Sequence, residues 1–201
     1  MSIYVVRHGQ TEWSVAGRHT GTTDIPLTPT GERQAAALRP VFADLAPRAV
    51  LVSPRHRARR TAELAGLAAT EVCEDLAEWD YGDAEGRTTT ELSAERGREW
   101  SVWADGVGPG ATPGETVEAV AERAGRVLHR ATSLLRGEGE SEAGVVVLVA
   151  HGHLLRILTA TWLGLEPRAG QHFALDAGTW GELGREHGRP VLSRWSVPPV
   201  L

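Results

Sequence analysis

Apolar runs and amphipathic helical patterns alternate along the chain. Residues 3–6, 49–52 and 145–149 form short apolar runs that are rich in β-branched side chains. Such runs predict strands buried on both faces, as in a parallel sheet. Between them, apolar residues recur at three- and four-residue spacing, most clearly over residues 115–135, and this spacing predicts helices. Strands that alternate with helices favour an α/β fold.

Proline marks where two of the predicted helices begin. Thr28-Pro29 and Ser53-Pro54 each place a hydroxyl residue before a proline, which favours a helix capped by the hydroxyl. The second of these helices is expected to run to about residue 65. Pro40 lies inside the first helical pattern and should bend or break that helix, because proline cannot donate the backbone hydrogen bond. A further helix is predicted at residues 154–163.

The remaining segments carry turn formers or mixed patterns. Residues 13–27 predict a loop, residues 87–105 one or two short helices, and residues 137–144 a surface turn. Residues 106–114 hold four glycines and two prolines, which predicts a loop within one domain because neither flank could form a core alone. Short alternating runs at about residues 171–197 predict edge strands, at least one of them antiparallel.

We therefore expect a single domain spanning residues 1–201. The predicted fold class is a three-layer α/β/α sandwich with a mostly parallel central sheet and at least one antiparallel edge strand. A small helical cap is expected as an insertion at about residues 79–114. The 201 residues, of which 41% are hydrophobic, are enough to form one sizeable core.

Charge and cysteine content narrow the possible functions. The net charge is −5, which argues against a nucleic-acid partner, although arginines cluster at residues 55–60 and keep a local anion site possible. Cys73 is the single cysteine, so no intrachain disulfide can form. No stretch is apolar enough to span a membrane, and the N-terminal residues lack the pattern of a secretion signal. We therefore expect a cytoplasmic protein without a membrane partner; the sequence carries no signal for an oligomeric state.

Chemically active residues follow two of the predicted strands. Arg7, His8 and Gly9 come directly after the first strand, and His151 and Gly152 come directly after the last of the three. The carboxyl ends of parallel strands lie at one edge of a sheet, where open α/β folds place their chemistry. We therefore expect the two histidines to converge there.

The second strand adds positive charge to the same edge. Ser53 ends that strand and is followed by the arginine cluster at residues 55–60. A strand that leads into a helix N-terminus through a short turn is a good anion site. Phosphoryl transfer needs positive charge and accurate placement. Arginine suits this purpose because its planar fork donates to phosphate oxygens and keeps its proton near neutral pH.

Four segments carry a resemblance to a known family. Residues 5–12, which read Val-Val-Arg-His-Gly-Gln-Thr-Glu, resemble the signature of the histidine phosphatase superfamily, also called the phosphoglycerate-mutase-like family. Residues 53–61 resemble its second motif, and residues 76–86 resemble the segment that carries its proton donor. Residues 151–153 resemble its second histidine motif. The resemblance covers nearly the whole chain.

This resemblance implies a role for each matching residue. His8 is expected to attack the phosphoryl group and Glu78 to protonate the leaving oxygen. Arg7, Arg57 and His151 are expected to hold the phosphate. Further substrate contacts implied by the resemblance are Thr11, Ser14, Thr20, Gly21, Gly152 and His153. Such chemistry uses neither a metal nor a cofactor.

Two shorter pieces point to a branch of the family. Residues 100–106, Trp-x-x-Trp-x-Asp-Gly, and residues 176–178, Asp-Ala-Gly, are similar to the sedoheptulose-1,7-bisphosphatase-type branch. The implied activity is hydrolysis of a small phosphorylated metabolite, such as a sugar phosphate or bisphosphate, through a phosphohistidine. The alternatives are a cofactor-dependent phosphoglycerate mutase, a broad-specificity acid phosphatase and an inactive module that binds a phosphorylated ligand.

Overall fold

A computed structural model gives the structure of the protein and describes residues 2–136 and 144–199. The surface turn predicted at residues 137–144 falls almost wholly outside the described residues. The strands and helices alternate as the sequence pattern predicts. Their bounds are β1 Ser2–Arg7, α1 Glu12–Val15, α2 Pro29–Ala37, α3 Arg39–Phe42, β2 Ala49–Val52, α4 His56–Leu64, β3 Glu71–Val72, α5 Thr89–Arg96, α6 Val102–Asp105, α7 Val117–Arg136, β4 Val145–Ala150, α8 Gly152–Trp162, β5 Trp180–Glu186 and β6 Arg189–Val197.

The strands form one six-stranded sheet in the order β3-β2-β4-β1-β5-β6. The pairs β3–β2, β2–β4 and β4–β1 are parallel, whereas β5 pairs antiparallel with β1 and β6 pairs antiparallel with β5. The predicted mostly parallel sheet with antiparallel strands at one edge is therefore confirmed. The two-residue strand β3 at the other edge was not predicted, because Glu71 and Val72 are too few to give a periodic pattern.

Helices cover both faces of the sheet, since alternate residues of each central strand point to opposite sides. On one side, Val5, Leu51 and Leu148 pack with apolar residues of α7 and α8. On the other side, Val6 and Val149 pack with Leu38, which follows α2, and with apolar residues of α3 and α4. The result is the expected three-layer arrangement, with β1, β2 and β4 buried between two helical layers.

Two local predictions are wrong. Residues 13–27 are not entirely a loop, because the Thr11 hydroxyl accepts the Ser14 N–H and caps the short helix α1. Ser53-Pro54 does not open a helix: α4 begins at His56, after Arg55 in an extended conformation. The Ser53 hydroxyl lies 2.7 Å from a ring nitrogen of His151 and forms a hydrogen bond with it instead of capping a helix.

The break predicted at Pro40 is confirmed. Helix α2 ends at Ala37 and α3 begins at Arg39, with proline in the first turn of α3. Helix α2 does begin at Pro29 with Thr28 as its cap, since the Thr28 hydroxyl accepts the Gly31 N–H at 3.0 Å.

Candidate active site

The register of two neighbouring strands brings the two motif histidines together. Arg7 at the end of β1 is paired with Ala150 at the end of β4, so His8 and His151 leave the sheet side by side. The His8 backbone N–H donates to the Ala150 carbonyl at 3.0 Å. The two imidazole rings are 5.1 Å apart between centroids and inclined at 63°.

Two glycines allow the turn after His8 to pack closely on α2. A Cβ atom at Gly9 would lie 2.3 Å from the Gly31 carbonyl oxygen, and one at Gly31 would lie 2.1 Å from the Gln10 carbonyl oxygen. Side chains are therefore excluded at both positions. The Gly9 N–H donates to the Thr61 hydroxyl at 3.1 Å, which fixes the turn to α4 as well.

The hydrogen bond of His8 identifies its free nitrogen. Nδ1 lies 2.7 Å from the Gly9 carbonyl oxygen. A carbonyl can only accept, so Nδ1 carries the proton and donates it. The lone pair of the neutral ring then lies on Nε2, and His8 is part of the cavity lining. Nε2 is therefore the nitrogen that can act as a nucleophile.

Three influences keep the His8 ring neutral. Burial lowers the pKa of His8 well below its usual 6.5, and the positive charges of Arg57 and Arg7 lower it further. The hydrogen bond to Gly9 acts in the opposite direction but does not outweigh them. Burial and the two positive charges each disfavour the imidazolium form. The nucleophilic form is therefore maintained at neutral and mildly acidic pH.

His151 is fixed by a bond at each ring nitrogen. Arg57 Nε–H donates to His151 Nδ1 at 3.2 Å, so the proton of the neutral ring is on Nε2. Nε2–H then donates to the Ser53 hydroxyl at 2.7 Å. Burial, followed by the charge of Arg57, lowers the pKa of His151 well below 6.5. His151 is thus a neutral, oriented neighbour of His8.

Arg57 lies fully buried beside His151. Its Nη1 donates to the Thr23 carbonyl at 2.9 Å, and its Nη2 to the carbonyls of Thr20 at 3.0 Å and Gly21 at 3.2 Å. These contacts tie the loop of residues 20–23 to α4. Arg57, His151 and Gly21 are expected phosphate or substrate contacts, but none of the three is in the cavity lining. His151 packs on His8, and Arg57 bonds His151.

Arg7 reaches the cavity itself. Its Nη1 donates to the Leu175 carbonyl, and its Nε is buried without a hydrogen-bond partner among the described residues. Burial lowers the pKa of Arg7 and the carboxylate of Glu78 raises it, but a guanidinium keeps its proton under all such conditions. Arg7 is part of the cavity lining, so its positive charge favours binding of an anion there.

Glu78 lines the same cavity, and its carboxylate contacts the N-terminus of α8. Its Oε1 accepts the N–H groups of Trp79 at 2.9 Å and Leu154 at 2.8 Å, and its Oε2 accepts the His153 N–H at 3.0 Å. A carboxylate has about four lone-pair positions, so Oε2 retains one. The sequence prediction singled out Glu78 from several acidic neighbours. Of the acidic residues at positions 74–85, Glu78 is the one in the cavity lining.

These groups surround a cavity of about 310 Å³. We call Arg7, His8, Arg57 and His151 the floor, and Arg18, His19, Tyr81, Trp103, His153 and Arg156 the outer wall. Three arginines and one carboxylate line the described cavity, so its charge is positive overall. The full lining is Arg7, His8, Thr11, Ser14, Gly17, Arg18, His19, Thr20, Glu78, Tyr81, Thr89, Ser101, Val102, Trp103, Gly152, His153 and Arg156.

The hydroxyl groups of Thr11, Ser14 and Thr20 form hydrogen bonds with residues close to them in sequence. Thr11 and Ser14 form a reciprocal cap, in which each side chain accepts the other's backbone N–H. The Thr20 hydroxyl donates to the Arg18 carbonyl at 3.0 Å. These three predicted residues and Gly152 all line the cavity.

The outer wall is aromatic and uncharged at its centre. The Tyr81 hydroxyl lies 2.5 Å from His153 Nδ1, and the Trp103 and His153 ring centroids are 5.0 Å apart. Burial raises the pKa of Tyr81 well above 10 and lowers that of His153 well below 6.5. Burial also lowers the pKa of His19 to about 4. Both histidines are therefore neutral at pH 7.

Sequence reasoning placed His153 at the site and missed most of the outer wall. Arg18 and His19 lie in a loop without periodic pattern, next to the predicted Thr20. Tyr81 stands three residues after Glu78 within the segment of residues 76–86, and that proximity was the available signal. Arg156 stacks on Trp103, with its guanidinium carbon 4.8 Å from the ring centre.

Two classes of feature are absent from the described ranges 2–136 and 144–199. No group of three or more His, Cys, Asp or Glu side chains there is placed to hold a metal ion. No helix in these ranges has the length and apolar character needed to cross a bilayer.

Comparison with known proteins identifies the family. The family model described as histidine phosphatase superfamily (branch 1) matches residues 3–198. The chain therefore belongs to the histidine phosphatase superfamily. It is a phosphatase: its named relatives in that family include an acid phosphatase and a sedoheptulose 1,7-bisphosphatase, alongside probable phosphoglycerate mutases.

Three similar proteins support this assignment. An acid phosphatase of Mycobacterium tuberculosis is 38% identical over 188 residues, which cover 92% of this chain and 87% of the relative. Sedoheptulose 1,7-bisphosphatase of Saccharomyces cerevisiae is 38% identical over 185 residues, covering 80% and 67%. A solved structure of an open-reading-frame product of Mycobacterium tuberculosis has a TM-score of 0.88 at 36% identity, covering 99% of this chain and 98% of that one.

Proposed function

We propose that the protein hydrolyses the phosphomonoester of a small phosphorylated metabolite through a phosphohistidine on His8. The observation that carries this proposal is the bond from His8 Nδ1 to the Gly9 carbonyl. It leaves Nε2 unprotonated at the cavity, while burial, Arg57 and Arg7 hold the pKa of the ring low. A neutral imidazole in a cationic cavity suits attack on a phosphate ester.

The reaction has two balanced steps. In the first, the lone pair of His8 Nε2 forms a bond to phosphorus, the ester P–O bond breaks, and protonated Glu78 gives its proton to the leaving oxygen. In the second, water attacks the phosphorus and passes a proton to the Glu78 carboxylate. The P–N bond then breaks, returns its electron pair to His8 and releases inorganic phosphate.

The other site residues supply charge and orientation in this proposal. Arg7 lines the cavity and places its guanidinium charge beside the phosphate. Arg57 and His151 contribute from beneath the cavity, where Arg57 orients His151 next to His8. The backbone of Gly152 lies at the N-terminus of α8, where N–H groups favour an anion.

A sugar phosphate or bisphosphate is the proposed substrate class. A cavity of about 310 Å³ is at the small end of the range for ligand sites, which suits a metabolite. Thr11, Ser14 and Thr20 present hydroxyl groups, and Arg18 and Arg156 add positive charge away from His8. The similarity to an acid phosphatase and to sedoheptulose 1,7-bisphosphatase supports the same class.

The proposal extends to the setting of the enzyme. A small helical cap at about residues 79–114 is proposed to cover the cavity of a single domain, since Tyr81, Thr89 and Trp103 line it. The lone Cys73 and the net charge of −5 support a cytoplasmic protein that does not bind nucleic acid.

Phosphate release from a substrate panel tests the proposal. The panel contains p-nitrophenyl phosphate, sedoheptulose 1,7-bisphosphate, fructose 1,6-bisphosphate and sugar monophosphates, with excess chelator present. We expect hydrolysis of at least one sugar phosphate. Rapid conversion of 3-phosphoglycerate with its bisphosphate into 2-phosphoglycerate would instead indicate a mutase. Binding of sugar phosphates without turnover would indicate an inactive module, and loss of activity in chelator would contradict the metal-free mechanism.

A further inference from the structure

An ion pair between a buried arginine and a partly buried glutamate lies next to the segment that carries Glu78. Arg123 on α7 is 7% exposed and donates two bonds to the Glu115 carboxylate. Its Nε lies 2.8 Å from Oε1 and its Nη2 lies 2.9 Å from Oε2. Neither residue lines the cavity, so the pair does not contact a substrate there.

The remaining terminal nitrogen of Arg123 holds the backbone that precedes Glu78. Nη1 donates to the Asp75 carbonyl at 2.9 Å and to the Ala77 carbonyl. Ala77 is the residue immediately before Glu78. The planar guanidinium therefore fixes two carbonyls and a carboxylate at once, which the single ammonium group of a lysine cannot do in the same geometry.

Glu115 holds the backbone that follows Glu78. Its Oε2 accepts the Asp80 N–H at 2.9 Å, and its own backbone N–H donates to the Asp80 carbonyl at 2.9 Å. The Glu115 carbonyl accepts the indole N–H of Trp79 at 2.8 Å. Residues on both sides of Glu78 are thus bonded to the same ion pair.

The need to fill this space does not by itself explain why it holds two charged side chains. A buried ion pair adds little to stability, because removing both charges from water offsets their attraction. Apolar side chains of similar size would fill the space equally well. What they could not do is bond the three backbone groups that the two side chains hold around Glu78, which are the carbonyls of Asp75 and Ala77 and the N–H of Asp80.

We propose that Arg123 and Glu115 are positioning residues for the general acid Glu78. They hold residues 75–80 so that the Glu78 carboxyl group meets the N-terminus of α8 and faces the cavity beside Arg7 and His8. This inference rests on the proposed function, in which Glu78 protonates the leaving oxygen. A small displacement of that carboxyl slows transfer to a poor leaving group, because general-acid catalysis depends on placement.

Arg123→Lys is the test variant and Arg126→Lys is its matched control. Arg126 lies on the same helix and donates to the Asp75 carboxylate at 2.9 and 2.6 Å, but from the exposed surface. The readout is kcat/KM for a sugar phosphate divided by kcat/KM for p-nitrophenyl phosphate, whose leaving group departs well without a proton. We expect Arg123→Lys to lower this ratio by about 10-fold or more, and Arg126→Lys to leave it within about 2-fold.

A double variant distinguishes positioning from general loosening. If Arg123 acts through Glu78, then Arg123→Lys should change the ratio by less than about 2-fold in a Glu78→Gln background. Equal effects of Arg123→Lys and Arg126→Lys, or full additivity with Glu78→Gln, would overturn the inference. Absence of hydrolysis in the wild type would instead contradict the proposed function.

A second variant keeps the test possible if Arg123→Lys does not fold. If Arg123→Lys does not fold, judged by circular dichroism and thermal unfolding, Glu115→Gln takes its place with the same ratio and the same double variant. Glutamine keeps one acceptor for the pair but removes the charge. Failure of both variants to fold would show that the pair is needed for the fold as a whole and would overturn a specific positioning role.

Discussion

The floor of the cavity and its outer wall bring polar side chains together in different ways. The floor follows from strand register: Arg7 pairs with Ala150, and the residues that come next are His8 and His151. The outer wall is assembled from segments far apart in sequence, since Tyr81, immediately before a 3₁₀ turn at Gly82–Ala84, meets His153 from α8. Neither of those two side chains belongs to a strand end.

This difference separates the residues that carry out phosphoryl transfer from those that determine which substrate is bound. The floor holds the nucleophile and the charges that every phosphate ester needs, so floor variants should affect all substrates alike. The outer wall lies away from the reacting phosphorus, so wall variants should depend on what is attached to the phosphate. Single substitutions test whether the floor and the outer wall differ in this way.

The largest effect is expected from His8→Ala, a floor variant. Without Nε2 no phosphohistidine forms, and kcat/KM should fall by at least about 10⁴-fold for sugar phosphates and for p-nitrophenyl phosphate alike. The measurement is steady-state phosphate release. His129→Ala, which alters an exposed histidine on α7, is the control and should retain activity. An effect of His8→Ala confined to one substrate class would break the comparison.

Glu78→Gln should have the next largest effect, and a selective one. Loss of the proton donor should slow transfer from sugar alcohols by roughly 10²–10⁴-fold. Hydrolysis of p-nitrophenyl phosphate should change much less, because p-nitrophenolate leaves without a proton. Glu122→Gln on the exposed side of α7 is the control. If both substrate classes slowed equally, Glu78 would not be the general acid, and Asp80 and Asp83 would be tested next.

Tyr81→Phe should have a moderate effect that is restricted to larger substrates. The variant removes the bond between the Tyr81 hydroxyl and His153, and a neutral hydrogen bond contributes about 1 kcal/mol. We expect KM for sugar phosphates to rise roughly 5-fold, in line with that energy, with little change for p-nitrophenyl phosphate. Tyr4→Phe changes the chain's other tyrosine and is the control. A loss of kcat for both substrates would place Tyr81 with the floor.

The smallest effect concerns stability and pH. Burial lowers the pKa of His19 from 6.5 to about 4, so the unfolded chain binds more protons between these values. Stability from this source is complete above pH 6.5 and decreases as pH falls toward 4. Between pH 7 and pH 5 the loss should be roughly 1–2 kcal/mol.

Urea unfolding of His19→Gln at the two pH values checks this, with His129→Ala as control. The glutamine variant should lose less stability than the wild type, while the control should match the wild type. Equal losses in the wild type and His19→Gln would mean that His19 is not held neutral in the folded outer wall.

Most of the floor could be predicted from the sequence because Arg7, His8 and His151 lie at the ends of strands with a clear apolar pattern. Arg57 lies in α4, and its role was implied only by the family resemblance. His8 and His151 follow such strands directly, and parallel pairing decides that they meet. The sequence could not show that Ser53 would bond His151 instead of capping a helix, because that bond joins residues 98 positions apart.

The outer wall could be predicted only in part. His153 is next to a motif, and Trp103 lies in the Trp-x-x-Trp-x-Asp-Gly piece at residues 100–106. Arg18 and His19 lie in a loop held by long-range contacts, such as the bond from the His19 N–H to the Arg87 carbonyl at 2.9 Å. Periodicity and propensity carry no information about contacts of that kind, so the wall required the structure.

Determining the phosphorylated atom tests the central claim most directly. The protein is mixed with a hydrolysable phosphate ester, quenched in base within milliseconds, and examined by ³¹P–¹H NMR and by peptide mass spectrometry. The Nδ1–H bond to Gly9 predicts an acid-labile phosphoryl group on Nε2 of His8, and none in His8→Ala. A phosphoryl group on Nδ1 or on another residue, or hydrolysis with no phosphoenzyme on this timescale, would contradict the account.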